Sequence, residues 1–412
     1  MTAETAREFA ALEAQAQRIM GVFARAGFEA VAPAIIQPAG VFLDAVGEAL
    51  RARTYIFTDQ DGAELCLRPD LTVPTCRLHI ARASAPERPA RYCYNGAAFR
   101  FQPAGAGAAH PREFRQAGIE SFGAPDAIAA EAETLAVIVE ALASAGLDRR
   151  QLHMRFSDLS LMRALMDALD LPPARRLRLQ ARFGHPETFR AELARMTESG
   201  SPSAGKFPSE LTAAVAGPAL EARLADHLAA RGIDVFGSRR VDEGADGVGA
   251  ILADGGLPPV SKATAELING YIAIDTPCLK APDAIAALAK RAGLNLDGAI
   301  AAFTARLDAF KARGIDLKAA VYSGSFGRTL AYYTGFVFEV GGAVGGAVAE
   351  SKSAVGGAVA ERSPGLGANS PVASGGRYDG LMRMAGANAD IPAVGAAIHT
   401  ERLLAAVKGA AS

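Results

Sequence analysis

The sequence predicts an α+β fold: an antiparallel sheet flanked by helices and interrupted by a mainly helical insertion. Three observations predict it. Phe9, Leu12, Ala16, Ile19 and Phe23 recur in steps of 3, 4, 3 and 4, the period of one helix face, and Gly27 follows as a stop. Short β-rich runs then come in pairs joined by turn signals, as hairpins do. From about Met166 to Leu317 the pattern changes to short Ala-rich helices broken by Pro and Gly.

Composition narrows the class. Half of the 412 residues are hydrophobic, enough to bury one or two sizeable cores. The 43 Lys plus Arg against 44 Asp plus Glu leave a net charge of −1, which excludes a strongly basic nucleic-acid module. Four cysteines (Cys66, Cys76, Cys93, Cys278) form no Cys-x-x-Cys pair, so neither a disulfide framework nor a zinc site is expected, and a reducing cytoplasm fits. Glu4, Arg7, Glu8 and Glu13 break any signal-peptide core, and no apolar run reaches the length of a membrane span. The six histidines are scattered, with no i, i+3 or i, i+4 pair, so no metal site on a helix is expected.

After the first helix, residues 34–38 and 54–58 read as strands, with Asp61-Gly62 as a hairpin turn before Leu65. A helix starts near Thr72, since Pro74 is tolerated in a first turn. Strands at 92–101 and 114–121 flank a Gly/Ala loop over 103–110, and a helix from Asp126 to Ser144 stops at Gly146. Strand character returns at 319–323, at 336–340 and just before Gly375. The division is therefore a core over 1–165, a helical insertion over 166–318 and the rest of the core over 319–412. The octapeptide AVGGAVAE occurs at 343–350 and again at 354–361, so 342–370 is expected to be a mobile low-complexity loop, dispensable for stability.

Four clusters carry polar groups suited to a ligand. In Leu67-Arg68-Pro69-Asp70-Leu71-Thr72, Asp70 and Thr72 can receive an ammonium together, although both types are first of all helix-start residues. In Phe99-Arg100-Phe101-Gln102 and then 112–120, alternation puts Arg112, Phe114, Gln116, Gly118 and Glu120 on one strand face, with Gly118 leaving room above the sheet. A solvated face bearing ion pairs is the bland alternative. Arg328 with Tyr332 and Tyr333 supplies a carboxylate fork and phenols, though strand tyrosines are commonly core. Gly375-Gly376-Arg377-Tyr378-Asp379 permits close backbone approach, or simply a tight turn.

In this order the clusters resemble the catalytic core of histidyl-tRNA synthetase, a class II synthetase, over residues 9–165 and 319–404. Motif 1 is similar to 33–48, motif 2 to 99–120 and motif 3 to 395–403, and the two histidine signatures to 328–333 and 375–381. The resemblance implies a class II synthetase-like, six-stranded antiparallel sheet flanked by helices and a self-dimer through motif 1. It also implies a histidine site drawn from Asp70, Thr72, Arg100, Gln116, Glu120, Arg328, Tyr332, Tyr333, Arg377 and Tyr378. In it Asp70, Thr72 and Glu120 would hold the α-ammonium, Gln116 and Arg328 would face the carboxylate, and Tyr333 and Tyr378 would bracket the imidazole.

The departures set the expected function. Arg402 lies ten residues from the last, so no anticodon-binding domain and no tRNA partner are expected. Gln102 replaces the glutamate of Phe-Arg-x-Glu, Ala331 replaces the aspartate of Arg-Gly-Leu-Asp, and His399 stands where motif 3 has a glycine. These changes argue against adenylate formation, hence against catalytic residues or a cofactor. The chain is more similar to the synthetase-like regulatory subunits of ATP phosphoribosyltransferase. That resemblance implies a cytoplasmic, non-catalytic subunit that activates the short-form catalytic subunit at the first step of histidine biosynthesis. A hetero-octamer is expected, with histidine as effector. The alternative is a histidyl-tRNA synthetase-like, adenylate-forming ligase lacking its anticodon domain.

Overall fold

The computed structural model describes residues 5–45, 52–102, 111–180, 182–183, 185–198, 223, 258–326, 332–342 and 371–410. Helix α1 (Ala6–Arg25) opens on a capping box: the Thr5 hydroxyl accepts from Glu8 N at 3.3 Å, and the Glu8 carboxylate accepts from Thr5 N at 2.9 Å. It ends before Gly27, whose φ of +82° is left-handed. Leu12, Ala16, Ile19, Val22 and Phe23 are buried, but Phe9, read as part of that stripe, is 50% exposed beneath the Arg115 guanidinium. After β1 (Glu29–Ala30), the strands β2 (Ile36–Pro38), β3 (Ile56–Thr58) and β4 (Glu64–Leu67) make a small antiparallel sheet in the order β2-β4-β3, with α2 (Ala39–Ala45) following β2. The β3–β4 turn is held by Asp59, whose carboxylate accepts from Asp61 N and Ala63 N, and by Gly62 at φ +83°. Helix α3 (Thr72–Arg82) has Pro74 in its first turn.

The remaining elements are β5 (Ala90–Phe99), β6 (Glu113–Phe122), α4 (Ala127–Ser144), β7 (Leu152–Asp158), α5 (Leu159–Ala168), α6 (Pro173–Gln180), α7 (Pro186–Thr197), α8 (Lys262–Ile272), β8 (Asp275–Pro277), α9 (Ala281–Arg291), α10 (Asp297–Ala312), β9 (Ala320–Ser323), β10 (Phe336–Gly342), β11 (Ala373–Arg377), α11 (Asp379–Met384), β12 (Ala393–His399) and α12 (Thr400–Ala410). The large sheet runs β1-β5-β6-β12-β11-β10-β7-β9-β8. Its middle six strands, β5 to β7 in that order, are antiparallel, as the resemblance implies. Both edges extend it further: β1 joins β5 in parallel, β9 joins β7 in parallel, and β8 closes the far edge antiparallel to β9. The loop over 103–110 and the repeat-bearing stretch over 343–370 lie outside the described residues.

Two compact units are present. The first comprises Met1–Leu161, Ile274–Ala286 and Asp297–Ser412 and contains both sheets; the second comprises Met162–Ala273 and Ala287–Leu296. In the second, α7 packs on α6 and α8 over buried Leu179, Phe189, Leu193, Met196, Ile268 and Tyr271. Arg175 there donates to the Pro258 carbonyl at 2.8 Å.

Register fixes the faces of the large sheet. Tyr92, Glu120, Gly395, Gly376, Val337 and Ser157 stand in one cross-strand row, so their side chains share a face, here the Glu120 face. Arg377, Phe336 and Asp158 belong to the opposite, helix face, where α4 and α10 supply Glu131 and Arg306. On that face Arg306 pairs with Glu131 and with Asp158 (2.6 Å), while Arg377 pairs with Glu131 (2.5 Å) and Asp379 (2.8 Å), all with little exposure except Asp379.

A buried carboxyl among phenols

Glu120 is wholly buried at the centre of the site. Its position follows from alternation in β6 and from two glycines that clear the space it needs. At Gly395 an added Cβ would lie 1.6 Å from Glu120 Oε2, and at Gly118 it would meet the Tyr94 hydroxyl at 2.5 Å. That hydroxyl donates to Glu120 Oε1 at 2.9 Å, and the Tyr378 hydroxyl donates to Oε2. Thr72, at the start of α3, adds a third hydrogen bond. Burial pushes the Glu120 carboxyl up to about 7, against the lowering effect of the hydrogen bonds from Tyr378, Thr72 and Tyr94; the charge of Asp70 adds to the rise. The phenols of Tyr94 and Tyr378 stand well above their usual range, first through burial and then through the facing Glu120 charge. Burial does the same to the neighbouring Cys76 thiol.

The other residues singled out in the sequence fall around this centre or away from it. Asp70 is buried, and its Oδ1 accepts from Val73 N at 3.1 Å, the cap contact expected of a helix-start residue. Tyr332 and Tyr333 lie with ring centroids 4.8 Å apart and meet Tyr378 edge-on at 5.7 and 6.2 Å. Gln116 is buried, opposite Gly96 and His399, and its Oε1 accepts no hydrogen bond. Arg100 donates from Nε to the Pro69 carbonyl at 2.9 Å and lies over the Phe114 ring at 5.0 Å. His399 stacks on that same ring at 5.3 Å. Gln102 contributes its carbonyl, which receives the Arg112 fork at 3.0 and 3.2 Å.

Arg377 is not brought to this group. Its neighbour Tyr378 reaches Glu120, whereas its own guanidinium lies on the helix face, bound to Glu131, Asp379 and the Ala127 carbonyl (2.9 Å). Arg328 lies outside the described residues. Tyr94 was missed by motif reasoning. Gly118, expected to leave room above the sheet for a ligand, instead makes room for Tyr94, which lies directly across from it in β5. Among the described residues no group of three or more His, Cys, Asp or Glu side chains gathers to hold a metal ion. None of the described helices is long and apolar enough to cross a membrane. A carboxyl titrating near neutrality, ringed by hydroxyls and aromatic faces, can receive a protonated amine or an imidazole N–H.

This sheet and its motif order define a class II synthetase-like fold of the histidyl type. The histidyl-tRNA synthetase family profile matches residues 4–231. Among solved structures, an ATP phosphoribosyltransferase regulatory subunit/histidyl-tRNA synthetase from Bacillus halodurans superimposes with a TM-score of 0.63 at 18% identity, covering 99% of this chain and 82% of that one. A histidine–tRNA ligase subunit from Alicyclobacillus acidocaldarius gives 0.56 at 22%, covering 100% and 96%. The ATP phosphoribosyltransferase regulatory subunit of Chelativorans sp. is 34% identical over 96% of this chain and 97% of its own length. That of Agrobacterium fabrum is 36% identical over 90% and 91%. The chain belongs to the family of ATP phosphoribosyltransferase regulatory subunits.

Proposed function

We propose that this chain has no catalysis of its own, activates the short-form catalytic subunit of ATP phosphoribosyltransferase at the first step of histidine biosynthesis, and takes part in feedback sensing of histidine. The observation that carries the reading is the end-to-end identity with regulatory subunits. An effector can act only by binding two assembly states with different affinity, and a coupling of about 1–3 kcal/mol gives roughly 5- to 150-fold modulation. Mixing the chain with the short catalytic subunit, and measuring mass and phosphoribosyl transfer with and without histidine, tests this. Catalytic activity unchanged by the addition defeats it. A cytoplasmic hetero-octamer is the assembly expected.

Histidine is assigned to the Glu120 group, with Asp70 and Thr72 toward the ammonium, Gln116 and Arg328 toward the carboxylate, and Tyr333 and Tyr378 against the imidazole. Arg100 and Tyr332 are assigned to the same set. Removing one partner of a buried charged contact costs about 2–5 kcal/mol, so Glu120→Ala is expected to weaken histidine binding roughly 30-fold or more. Calorimetric titration reads this directly, and unchanged affinity places the effector elsewhere.

The rival ligase reading is disfavoured by His399, which stands where motif 3 has a glycine and stacks on the Phe114 ring. Histidine-dependent ATP–pyrophosphate exchange by the purified chain would overturn this part of the proposal. Self-association through motif 1 is supported by the small sheet, which presents Ile36 (52% exposed) and Phe57 (37%) to solvent. Placing a charge there with Ile36→Asp is expected to shift the sedimentation mass of the isolated chain from dimer to monomer; an unchanged dimer locates the interface elsewhere.

A further inference from the structure

Strand β7 carries a second polar group on the Glu120 face. Ser157 stands in the same cross-strand row as Glu120, four strand spacings away, on the order of 19 Å at the usual separation of ~4.8 Å. Arg155 lies two residues along, opposite Glu339 of β10 and Val321 of β9. Its side chain is only 6% exposed, yet the one carboxylate it pairs with among the described residues, Asp275 Oδ2, is 3.8 Å away, beyond hydrogen-bond reach. The guanidinium also lies over the Phe326 ring, 5.9 Å from its centroid. Ser157 is fully buried, and its hydroxyl has no hydrogen-bond partner. Nearby Ser323 is turned toward Ser325, with 3.4 Å between their hydroxyls.

The contrast with the helix face is instructive. Arg306 and Arg377 are buried to a similar degree, and each is bonded to two carboxylates. Among the described residues none of the five N–H donors of Arg155 makes a hydrogen bond, and the Ser157 hydroxyl two residues along has no partner. Folded proteins fill such donor sets, because a desolvated charge without a hydrogen-bond partner is costly. Burial accordingly draws the Arg155 guanidinium below its usual range, with Asp275 and Glu339 only partly opposing this.

We infer that Arg155 and Ser157 form a receiving site for a small monoanionic carboxylate, separate from the Glu120 group. The planar fork of Arg155 matches a carboxylate, and the Ser157 hydroxyl supplies a further donor. The surroundings favour a single charge over two: Asp275 and Glu339 both act on the guanidinium, and their repulsion of a phosphate dianion is about twice that of a monoanion.

The test uses the full chain at constant ionic strength. Acetate is expected to raise Tm saturably, while inorganic phosphate and chloride do not. Arg155→Met should abolish the acetate effect and leave the Tm of the ligand-free protein unchanged or higher, because an apolar isostere replaces a buried charge without a hydrogen bond. Ser157→Ala should weaken acetate binding roughly 5-fold, and it carries the test should Arg155→Met fail to fold. A structural arginine would behave oppositely, its loss lowering Tm with no change in the acetate response. That result, an equal response to phosphate, no acetate response in the wild type, or an unaltered one in Ser157→Ala, overturns the inference.

Discussion

Glu131→Ala is expected to cost the first unit about 3–5 kcal/mol, the usual loss when one member of a buried ionic cluster is removed and its partners stay behind. Glu131 is fully buried and bridges two arginines, taking Arg306 on one oxygen and Arg377 on the other. Arg306 keeps Asp158, and Arg377 keeps Asp379, so each guanidinium loses one of its two carboxylates rather than both. The effect should exceed that of any surface pair, such as Lys311–Asp308, whose side chains are 51% and 64% exposed. Thermal melting followed by circular dichroism should show a fall in Tm of roughly 5–10 °C. A variant that melts within about one degree of the parent would mean that the cluster contributes no net stability.

The second large effect concerns pH. Burial holds the Glu120 carboxyl at about 7, above its ordinary 4.5, so between these values the native state keeps a proton that the unfolded chain has released. Its contribution to stability is full below about 4.5 and is lost as pH rises through about 7, by an amount on the order of 3 kcal/mol. Glu120→Gln carries a neutral side chain of the same shape and should remove this slope. The difference in unfolding free energy between variant and wild type should therefore grow in favour of the variant from pH 5 to pH 8. Tyr94, Tyr378, Thr72, Cys76 and Asp70 face the carboxyl, and none of the phenols or the thiol ionises in that interval, since each stands above its ordinary value. Parallel stability curves would show that Glu120 is ionised throughout.

Long amphipathic elements were legible in the sequence because their periods are read over many residues. Helix α1, helix α4 with its Asp126 cap and the β5–β6 pair all lie close to where periodicity puts them. Strand β7 was overlooked although Leu152, Met154 and Phe156 alternate with His153, Arg155 and Ser157; it runs into α5 without a turn residue to mark its end. Strand β12 has only Val394 and Ile398 as β-branched residues among Ala393, Gly395, Ala396 and Ala397, too few to announce a strand. The site was partly legible for a related reason. Glu120 and Tyr378 carry chemistry on their own residue types, and the structure joins them. Which face Arg377 takes depends on the register of β11, and its preceding residues Gly375 and Gly376 carry no pattern from which to read that register.

The space beside Gly395 also constrains the order in which this protein can change. A methyl group at position 395 would coincide with the Glu120 carboxylate, which is itself enclosed and has nowhere to swing. A lineage that fills position 395 must shorten the acid first and then also shift the Ile119 carbonyl, which would lie 2.7 Å from the new Cβ. The reverse order passes through an intermediate in which both groups claim one volume. The two positions thus form a ratchet: once a side chain has settled at 395, the glutamate at 120 cannot return by a single step.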